Sequence, residues 1–394
     1  MRRMWVRIAS AAACFAAIMG FSRLAYGLLV PAMQASLGGG LDIYGLIGAG
    51  NLGGYFAGSL IAARLAALRH RSRLNGGALI AMCLAIAGSG FAHDLFTLGL
   101  LRFFIGVASG VALSLTLALA VEGVGQSIRG RAAALVWSGG TAGMSLVGAG
   151  AVIFPFGGDT WRYAWFAMAL IGILAALIFS RVAQTEGRRA GAADDGVPIG
   201  LWSPRKYLFL AVGYTAFGFG YIDVVTFFGA ALARTHAAGL GLAVLILGGA
   251  GTLGALCWGP LVDRFRSGVP IAAAGGLCAA GALMLSLRDS FPVLMGAFVF
   301  GIGFIGVPAM IGALAQQREP PQRYARAFAL LTSTLGVGQV IGPFAGGMVA
   351  RILGTTASLE LGAFSLLLSA IFCGCYRRPR DNSLAKGRPN FAVM

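Results

Sequence analysis

Long apolar stretches separated by short polar clusters repeat along the whole chain. A helix needs about 20 apolar residues to cross the hydrocarbon core of a bilayer. Twelve such windows lie between the polar breaks, near residues 8–34, 43–66, 74–92, 95–121, 131–155, 161–182, 205–232, 239–262, 269–287, 291–315, 325–350 and 355–376. We number them as helices 1 to 12. The pattern therefore predicts an all-α, polytopic membrane protein.

The widest polar gap divides the chain into two halves. It covers residues 183–204 and predicts a cytoplasmic linker between an N-terminal six-helix bundle, 1–182, and a C-terminal six-helix bundle with a short tail, 205–394. The halves also share short sequence matches in the same order. The matching segments are Gly20–Arg23 with Gly220–Asp223, Gly58–Leu60 with Gly259–Leu261, and Arg131–Leu135 with Arg326–Leu330. These matches predict one six-helix unit used twice, and such repeats commonly place a substrate site between the halves.

Composition and charge agree with a membrane protein. The chain is 58% hydrophobic and 11% charged, with a mean hydropathy of +0.82, whereas a soluble domain is about 25% charged. With the N-terminus inside, the inner segments hold 24 of the 30 Lys and Arg residues and the outer loops hold four. Because Lys and Arg favour cytoplasmic loops, both termini are predicted to be cytoplasmic, in a bacterial inner membrane. The net charge of +17 then reflects topology, and we expect no nucleic-acid partner.

Several other patterns in the sequence point away from catalysis. The six cysteines lie in apolar runs without metal-ligand spacing to a histidine, so we expect free, buried thiols and neither a metal nor a cofactor. Residues 48–53 and 301–306 fit G-x-G-x-x-G, but they lie inside apolar helices and follow no strand. The arginine-rich N-terminus resembles a signal peptide, but its apolar run continues well past Cys14, which predicts an uncleaved helix 1. We therefore predict that the protein is not an enzyme.

Two segments resemble motifs of the major facilitator superfamily. Gly259-Pro-Leu-Val-Asp263-Arg264-Phe265 is similar to the family's loop motif G-x-L-x-D-R-x-G, and Arg102 with Gly106 resembles its helix 4 motif R-x-x-x-G. Residues 20–34 of helix 1 and Asn51-Leu-Gly-Gly-Tyr55 of helix 2 further resemble the YbfB/YjiJ-like branch. The resemblance implies two pseudo-symmetric six-helix bundles that alternately expose a central site. It also implies that Asp263 and Arg264 stabilise one closed state, and that Arg102 takes part in proton coupling.

The sequence departs from the family pattern at two places. Ala62 stands where the loop motif of the first half has its aspartate. The exporter pattern G-P-x-x-G-G is expected in helix 5, but it occurs in helix 11, around Pro343. On the resemblance alone, export is favoured over uptake.

Two charges at matching positions are the first candidates for chemistry. Arg23 lies in the middle of helix 1, where leaving a guanidinium in hydrocarbon costs at least a few kcal/mol. Asp223 occupies the matching position in helix 7, and in the family these helices face each other. We hypothesise that they form the charged centre of the site, directly or through substrate, and that Asp223 gains a proton when substrate takes the arginine. The alternative is a static pair that locks the halves together.

Arg102 has two possible roles, namely coupling or anion binding, or a charge that snorkels to the interface. Further candidates for substrate contact are Tyr26, Gln34, Asn51, Tyr55, Trp137, Ser138, Tyr221, Thr226 and Gln339. For any one of them, a hydrogen bond between helices is an equally good explanation. Collectively they predict a site for a small polar or anionic organic molecule with aromatic walls.

Glycines at a spacing of four form two ladders. The ladders consist of Gly50, Gly54 and Gly58 in helix 2, and of Gly338, Gly342 and Gly346 in helix 11. In the family these helices meet across the halves, so we expect the ladders, with Pro343, to permit close packing and rocking. Ordinary packing within one half is the alternative.

These observations predict a secondary active transporter that works by alternating access in the lipid bilayer. Its expected partners are a small-molecule substrate and protons, and we expect a monomer. A transporter-like membrane sensor or scaffold that does not transport is an alternative, but the short linker and tail leave little room for a signalling domain. An uncoupled facilitator is a further alternative.

Overall fold

The computed structural model describes residues 2–65, 68, 70–184, 207–235, 239–265, 267–287, 289–318 and 321–376. Within these ranges the ordered elements are helices and no strand occurs, which confirms the all-α prediction. In the first half, helix 1 consists of Arg2–Phe15, the π-helical segment Ala16–Leu24 and Tyr26–Leu37, followed by helix 2 (Leu41–Leu65), helix 3 (Arg71–Gly90), helix 4 (Leu95–Val121), helix 5 (Gln126–Ile153) and helix 6 (Trp161–Gln184). In the second half they are helix 7 (Leu208–Thr235), helix 8 (Leu240–Phe265), helix 9 (Val269–Leu285), helix 10 (Ser290–Phe304 and Gly306–Arg318), helix 11 (Pro321–Ile352) and helix 12 (Thr355–Gly374).

Most of these helices are long and apolar enough to cross a membrane. In the described part of the chain, nine meet that condition by length and composition. Helices 8 and 9 contain shorter apolar segments, Leu240–Ala255 and Val269–Leu285, and helix 2 carries six glycines, which lower its hydropathy. The predicted linker 183–204 lies outside the described residues except for its first two positions, so the boundary between the halves stays a prediction.

The two halves are built on the same pattern of helix contacts. Helix 2 packs on helix 4, helix 1 on helix 5, and helix 3 on helix 6. In the second half, helix 8 packs on helix 10, helix 7 on helix 11, and helix 9 on helix 12. Between the halves, the main contacts join helix 5 to helix 8, helix 2 to helix 11, and helix 1 to helix 7. This repetition of contacts agrees with the sequence matches between the halves.

The glycine ladders pack within each half, so the expectation that they face each other across the halves is wrong for most of their members. Gly54 and Gly58 of helix 2 lie against the backbone of helix 4 at Phe103 and Val107. In helix 11, Gly338 and Gly342 lie against helix 7 at Thr215 and Phe219, and Gly346 lies against Asp223, also in helix 7. A Cβ at Gly50 would meet nothing within 4 Å. The period of four identified a packing face but not the helix that covers it.

Other glycines bring the halves together, towards the end of the bundle where helices 1 and 2 are joined. Gly27 of helix 1 lies against the Val225 carbonyl of helix 7, and Gly229 lies against the Gly27 carbonyl. In the same region, Gly45 of helix 2 lies against the carbonyl of Pro343 in helix 11. Side-chain bonds between the halves include Thr141 Oγ1 to Thr252 Oγ1 at 3.0 Å, Ser145 Oγ to the Leu245 carbonyl at 2.8 Å, and Arg351 Nη1 to Asp42 Oδ2 at 2.7 Å. The halves are therefore closed against each other at the end that carries the connection between helices 1 and 2, residues 38–40, which we call the loop end.

The N-cap of helix 4 gives a first testable prediction. Asp94 accepts hydrogen bonds from the Thr97 backbone N–H at 2.8 Å and from Thr97 Oγ1 at 2.7 Å, and the backbone bond is the main reason why the pKa of this exposed carboxyl is lowered. Because its folded pKa lies below the unfolded value of about 3.9, the cap stabilises the protein above that pH and loses this effect as the pH falls through the lowered pKa. Asp94→Ala should therefore lower the thermal unfolding temperature at neutral pH, and the difference from the parent should shrink in acid. Asp94→Asn, which caps without titrating, is the control.

Candidate functional site

A π-helical segment in helix 1 positions Arg23. The Ala25 N–H donates to the Gly20 carbonyl five residues back at 2.8 Å, instead of four residues back as in an α-helix. Within this segment, Gly20 packs against the backbone of Gly140 and Gly143 in helix 5. The extra residue in this turn rotates the positions that follow it by about 100° relative to a continuous α-helix. Such turns often occur at functional sites.

Arg23 is buried in this segment with its charge against an aromatic ring. Its side chain is 6% exposed, and its guanidinium carbon lies 3.5 Å from the centroid of the Tyr55 ring in helix 2. The Nε and Nη2 groups are buried and have no hydrogen-bond acceptor. Stacking on an aromatic face stabilises the cation, but it does not satisfy donors that point along the edge of the guanidinium plane.

Arg102 of helix 4 is also turned into the bundle and does not snorkel. It is 1% exposed, and its guanidinium carbon lies 4.3 Å from the Tyr26 ring centroid and 5.5 Å from that of Trp165. Its Nε and Nη1 groups lack an acceptor, as does the indole N–H of Trp165. Arg23 is near enough to interact with Arg102 electrostatically. The first half thus places two cations of like charge close together in its interior.

Side-chain N–H groups of helices 2 and 8 donate hydrogen bonds to backbone carbonyls at matching positions of helices 4 and 10. Asn51 Nδ2 donates to the Arg102 carbonyl at 2.6 Å, and Trp258 Nε1 donates to the Ile302 carbonyl at 2.7 Å. Positions 102 and 302 differ by 200 residues, as positions 23 and 223 do. The Asn51 amide is therefore engaged in fixing the backbone that carries Arg102, which favours the helix-to-helix explanation for this candidate.

Tyr221 of helix 7 is the residue of the second half that we relate to Arg23. Arg23 interacts electrostatically with this residue, whose hydroxyl accepts a hydrogen bond from Gln339 Nε2 of helix 11. The Tyr221 ring packs against Phe217 and Phe304, with centroids 5.0 and 5.1 Å away. Tyr55, the ring next to Arg23, also lies within electrostatic range of Tyr221, so each half has an aromatic side chain in the vicinity of Arg23.

Asp223 faces the other way, towards helices 11 and 12. Its carboxylate is fully buried, and Oδ1 accepts a hydrogen bond from Ser358 Oγ at 2.9 Å. Gly346 of helix 11 and Gly362 of helix 12 leave the space that the carboxylate fills. Among the described side chains, Arg23 and Asp223 form no ion pair, and Oδ2 of Asp223 has no partner. The direct pair that the sequence suggested does not exist in this conformation.

The remaining candidates are dispersed. Trp137 packs edge-on against Phe15 at 5.4 Å, Thr226 donates to the Ile222 carbonyl in its own helix, and Gln34 donates to the Gly39 carbonyl at the loop end. Tyr26 stacks under Arg102 and donates its hydroxyl hydrogen to the Tyr44 carbonyl at 2.9 Å. Ser138 donates to the Leu135 carbonyl within helix 5. Of the polar candidates, Tyr26, Tyr55, Tyr221 and Gln339 gather around the arginines.

The loop motif and the cysteines complete the picture. Arg264 is exposed beside the Phe265 ring, and the Asp263 side chain lies outside the described set. The cysteines are free, but Cys257 and Cys375 are exposed, so the expected burial is wrong for these two. Among the described residues, no group of three His, Cys, Asp or Glu residues is placed to hold a metal ion.

Sequence reasoning missed some residues that form this centre. Trp165 and Phe304 contribute rings next to Arg102 and Tyr221, yet neither lies in a motif. Gly27 and Gly229 make the close crossing of helices 1 and 7. Because glycines are abundant throughout the chain, no local signal separates these two from the others.

Comparisons with known proteins agree with the architecture. The model of the family described as "Uncharacterised MFS-type transporter YbfB" matches residues 15–373. The crystal structure of the nucleoside transporter NupG superposes with a TM-score of 0.73 at 12% identity, over 94% of this chain and 98% of that chain. A bacterial homolog of the human lysosomal transporter Spinster, in an inward-facing and unoccupied conformation, gives a TM-score of 0.68 at 16% identity, over 94% of each chain. At such low identity the superpositions show a common fold.

Proposed function

This chain belongs to the YbfB-type family of major facilitator transporters, and from that premise we propose that it moves a small polar or anionic organic molecule by alternating access. The proposal is supported above all by one observation: Arg23 of the first half is buried, with unpaired N–H groups, within electrostatic range of both Arg102 of the same half and Tyr221 of the second half. A solute held there touches both halves, so its binding energy can act on their relative position.

Proton coupling is the second part of the proposal. Asp223 is buried between helices 7, 11 and 12, and its free Oδ2 atom could carry a proton. Rearrangement of these helices would change the surroundings of the carboxyl group and thereby its proton affinity. Since Asp223 does not touch Arg23 here, this coupling would be transmitted through helix 7, and no direct competition for the arginine is needed.

Asp223→Asn tests this part of the proposal. The substitution keeps the shape of the side chain and removes its titration, so exchange of substrate across the membrane should persist while accumulation driven by a pH gradient is lost. Both can be measured in liposomes with the same labelled solute. An Asn variant that retains full proton-coupled accumulation would exclude Asp223 as the coupling residue.

The proposal also covers the direction of transport, the membrane in which the protein lies and its oligomeric state. We take the protein to be a monomeric exporter of the bacterial inner membrane with cytoplasmic termini; the orientation rests on the Lys and Arg distribution, and export rests on the resemblance to the family alone. With that orientation, the closed loop end faces away from the cytoplasm. A non-transporting sensor and an uncoupled facilitator are the competing functions.

A flux assay distinguishes these functions. Purified protein is screened for thermal stabilisation by a panel of anionic, cationic and neutral solutes, including a nucleoside, and the hits are tested for flux into liposomes with and without a pH gradient. We expect at least one hit whose flux follows the gradient. Binding without flux would identify a sensor, and flux without proton movement would identify a facilitator.

A further inference from the structure

The buried charges of this protein are unbalanced. Arg23 and Arg102 are both more than nine-tenths buried, and each has two N–H groups without an acceptor. Asp223 is the one buried acidic residue among the described side chains, and it faces helix 12. Burying an unpaired charge is costly, and two neighbouring cations also repel each other. An anion that joins them would relieve both costs.

The geometry of the two guanidinium groups restricts that anion. The guanidinium carbon of Arg23 lies 3.5 Å from the Tyr55 ring centroid, and that of Arg102 lies 4.3 Å from the Tyr26 ring centroid, so each cation has an aromatic ring on one side. The unpaired donors that remain for recognition are Nε and Nη2 of Arg23 and Nε and Nη1 of Arg102, and the N–H donors of a guanidinium form a fork that matches a carboxylate. The two forks come from different helices and rest on different rings. They therefore suit two separate planar groups better than one compact tetrahedral anion.

The other polar groups nearby are also donors. The indole N–H of Trp165, next to Arg102, has no acceptor. From the second half, the Tyr221 ring packs against Phe304 and lies within electrostatic range of Arg23. A ligand for this centre must then supply acceptors at two points and an apolar portion between them.

We propose that the site binds a small organic dicarboxylate, with one carboxylate on Arg23 and the other on Arg102. This inference rests on the proposed transport function and narrows its substrate class. A dianion would match the two buried cations in charge, and a short hydrocarbon spacer would contact the rings. The Trp165 N–H would add a hydrogen bond to the carboxylate on Arg102.

Binding of small anions to the purified full-length protein tests the charge of the ligand and the number of carboxylates that the site requires. The probes are malonate, succinate, glutarate, adipate and terephthalate, each compared with its monomethyl ester, and glycerol phosphate represents the tetrahedral dianions. We expect at least one diacid to bind about tenfold or more tightly than its monoester, since the monoester loses the charge-assisted hydrogen bonds of one carboxylate. Equal binding of diacid and monoester, tighter binding of glycerol phosphate, or no binding of any diacid would overturn the proposal.

Variants then locate the contacts. Arg23→Lys and Arg102→Lys keep the charge but lose the fork, so each should weaken diacid binding about tenfold or more and bring it close to that of the monoester. Arg181→Gln, at an exposed arginine in the last turn of helix 6, is the matched control and should bind like the parent. Folded lysine variants with parental diacid affinity would overturn the assignment of the arginines. If a variant fails to fold, the comparison of diacid and monoester binding to the parent protein still tests whether the site prefers a dicarboxylate.

The dicarboxylate proposal and the transport proposal can fail independently of each other. If the solute panel yields proton-driven flux of a neutral or cationic molecule and no diacid binds, the transport proposal stands and the dicarboxylate proposal fails. If a diacid binds and is not moved, the site assignment stands and transport fails.

Discussion

Replacing Gly229 with valine should force the two halves apart at the loop end. Gly229 of helix 7 lies against the Gly27 carbonyl of helix 1, and Gly27 in turn lies against the Val225 carbonyl. Pro31 has no N–H to donate to the Gly27 carbonyl, which is therefore free to lie in this crossing. No side chain fits there unless the backbones separate. Overpacking typically costs about 1–3 kcal/mol, so the equilibrium should shift away from the closed conformation by about 5- to 150-fold.

Cross-linking at the loop end measures this shift. Asp42 and Arg351 form an ion pair at 2.7 Å in the closed conformation, and cysteines at these positions can be joined by a short bifunctional thiol reagent. The exposed Cys257 and Cys375 are first replaced by serine. We expect efficient cross-linking in the parent and a large loss in Gly229→Val. Gly50→Val, at a position with open space around it, is the control, and an unchanged yield in Gly229→Val would show that the crossing does not hold the halves closed.

Gly346→Ala should strongly destabilise the second half, through a clash with Asp223. A Cβ on Gly346 would overlap the Oδ1 atom of Asp223, which is fully buried and held by Ser358. The carboxylate would have to leave its hydrogen bond or helix 11 would have to move. We expect a loss of about 1–3 kcal/mol, seen as a lower unfolding temperature in detergent.

A double-mutant cycle makes this prediction specific. In the Asp223→Ala background, the added methyl group has room, so Gly346→Ala should cost much less there, with a coupling energy of about 1 kcal/mol or more. Gly276→Ala in helix 9, where a Cβ meets nothing within 4 Å, serves as the control and should be neutral or slightly stabilising. Additive effects of Gly346→Ala and Asp223→Ala would mean that Asp223 points elsewhere.

The sequence was sufficient to predict the fold because each apolar window carries its own signal. The placement of Arg23 in the centre was likewise predictable, since a charge in the middle of an apolar helix has few alternatives. The direction of Asp223 was not predictable. An offset of 200 residues aligns it with Arg23, but helix 1 contains a π-helical turn and helix 7 is a continuous α-helix.

The glycines that precede this position show that the two helices present different faces. Gly20 faces helix 5, whereas the matching Gly220 faces helix 12, and Gly218 takes the place against helix 11. Gly20 and Gly218 are 198 residues apart and not 200, so the two helices are out of phase here by two residues, about 200° in an α-helix. Tyr221, two residues before Asp223, consequently faces Arg23. A repeat found by sequence offset identifies equivalent positions but not equivalent faces.

The two arginines without a buried carboxylate beside them also have an electrical consequence. With a dianion bound, the charge of the arginine pair is neutralised, whereas in the unloaded protein this pair carries two positive charges within the membrane. An elementary charge that crosses the whole membrane field experiences about 2.3 kcal/mol per 100 mV. If the protein works by alternating access, as proposed, the arginines change the aqueous side to which they are connected, and the membrane potential then acts mainly on the return of the unloaded protein. A potential that is negative inside would favour the unloaded site facing the cytoplasm.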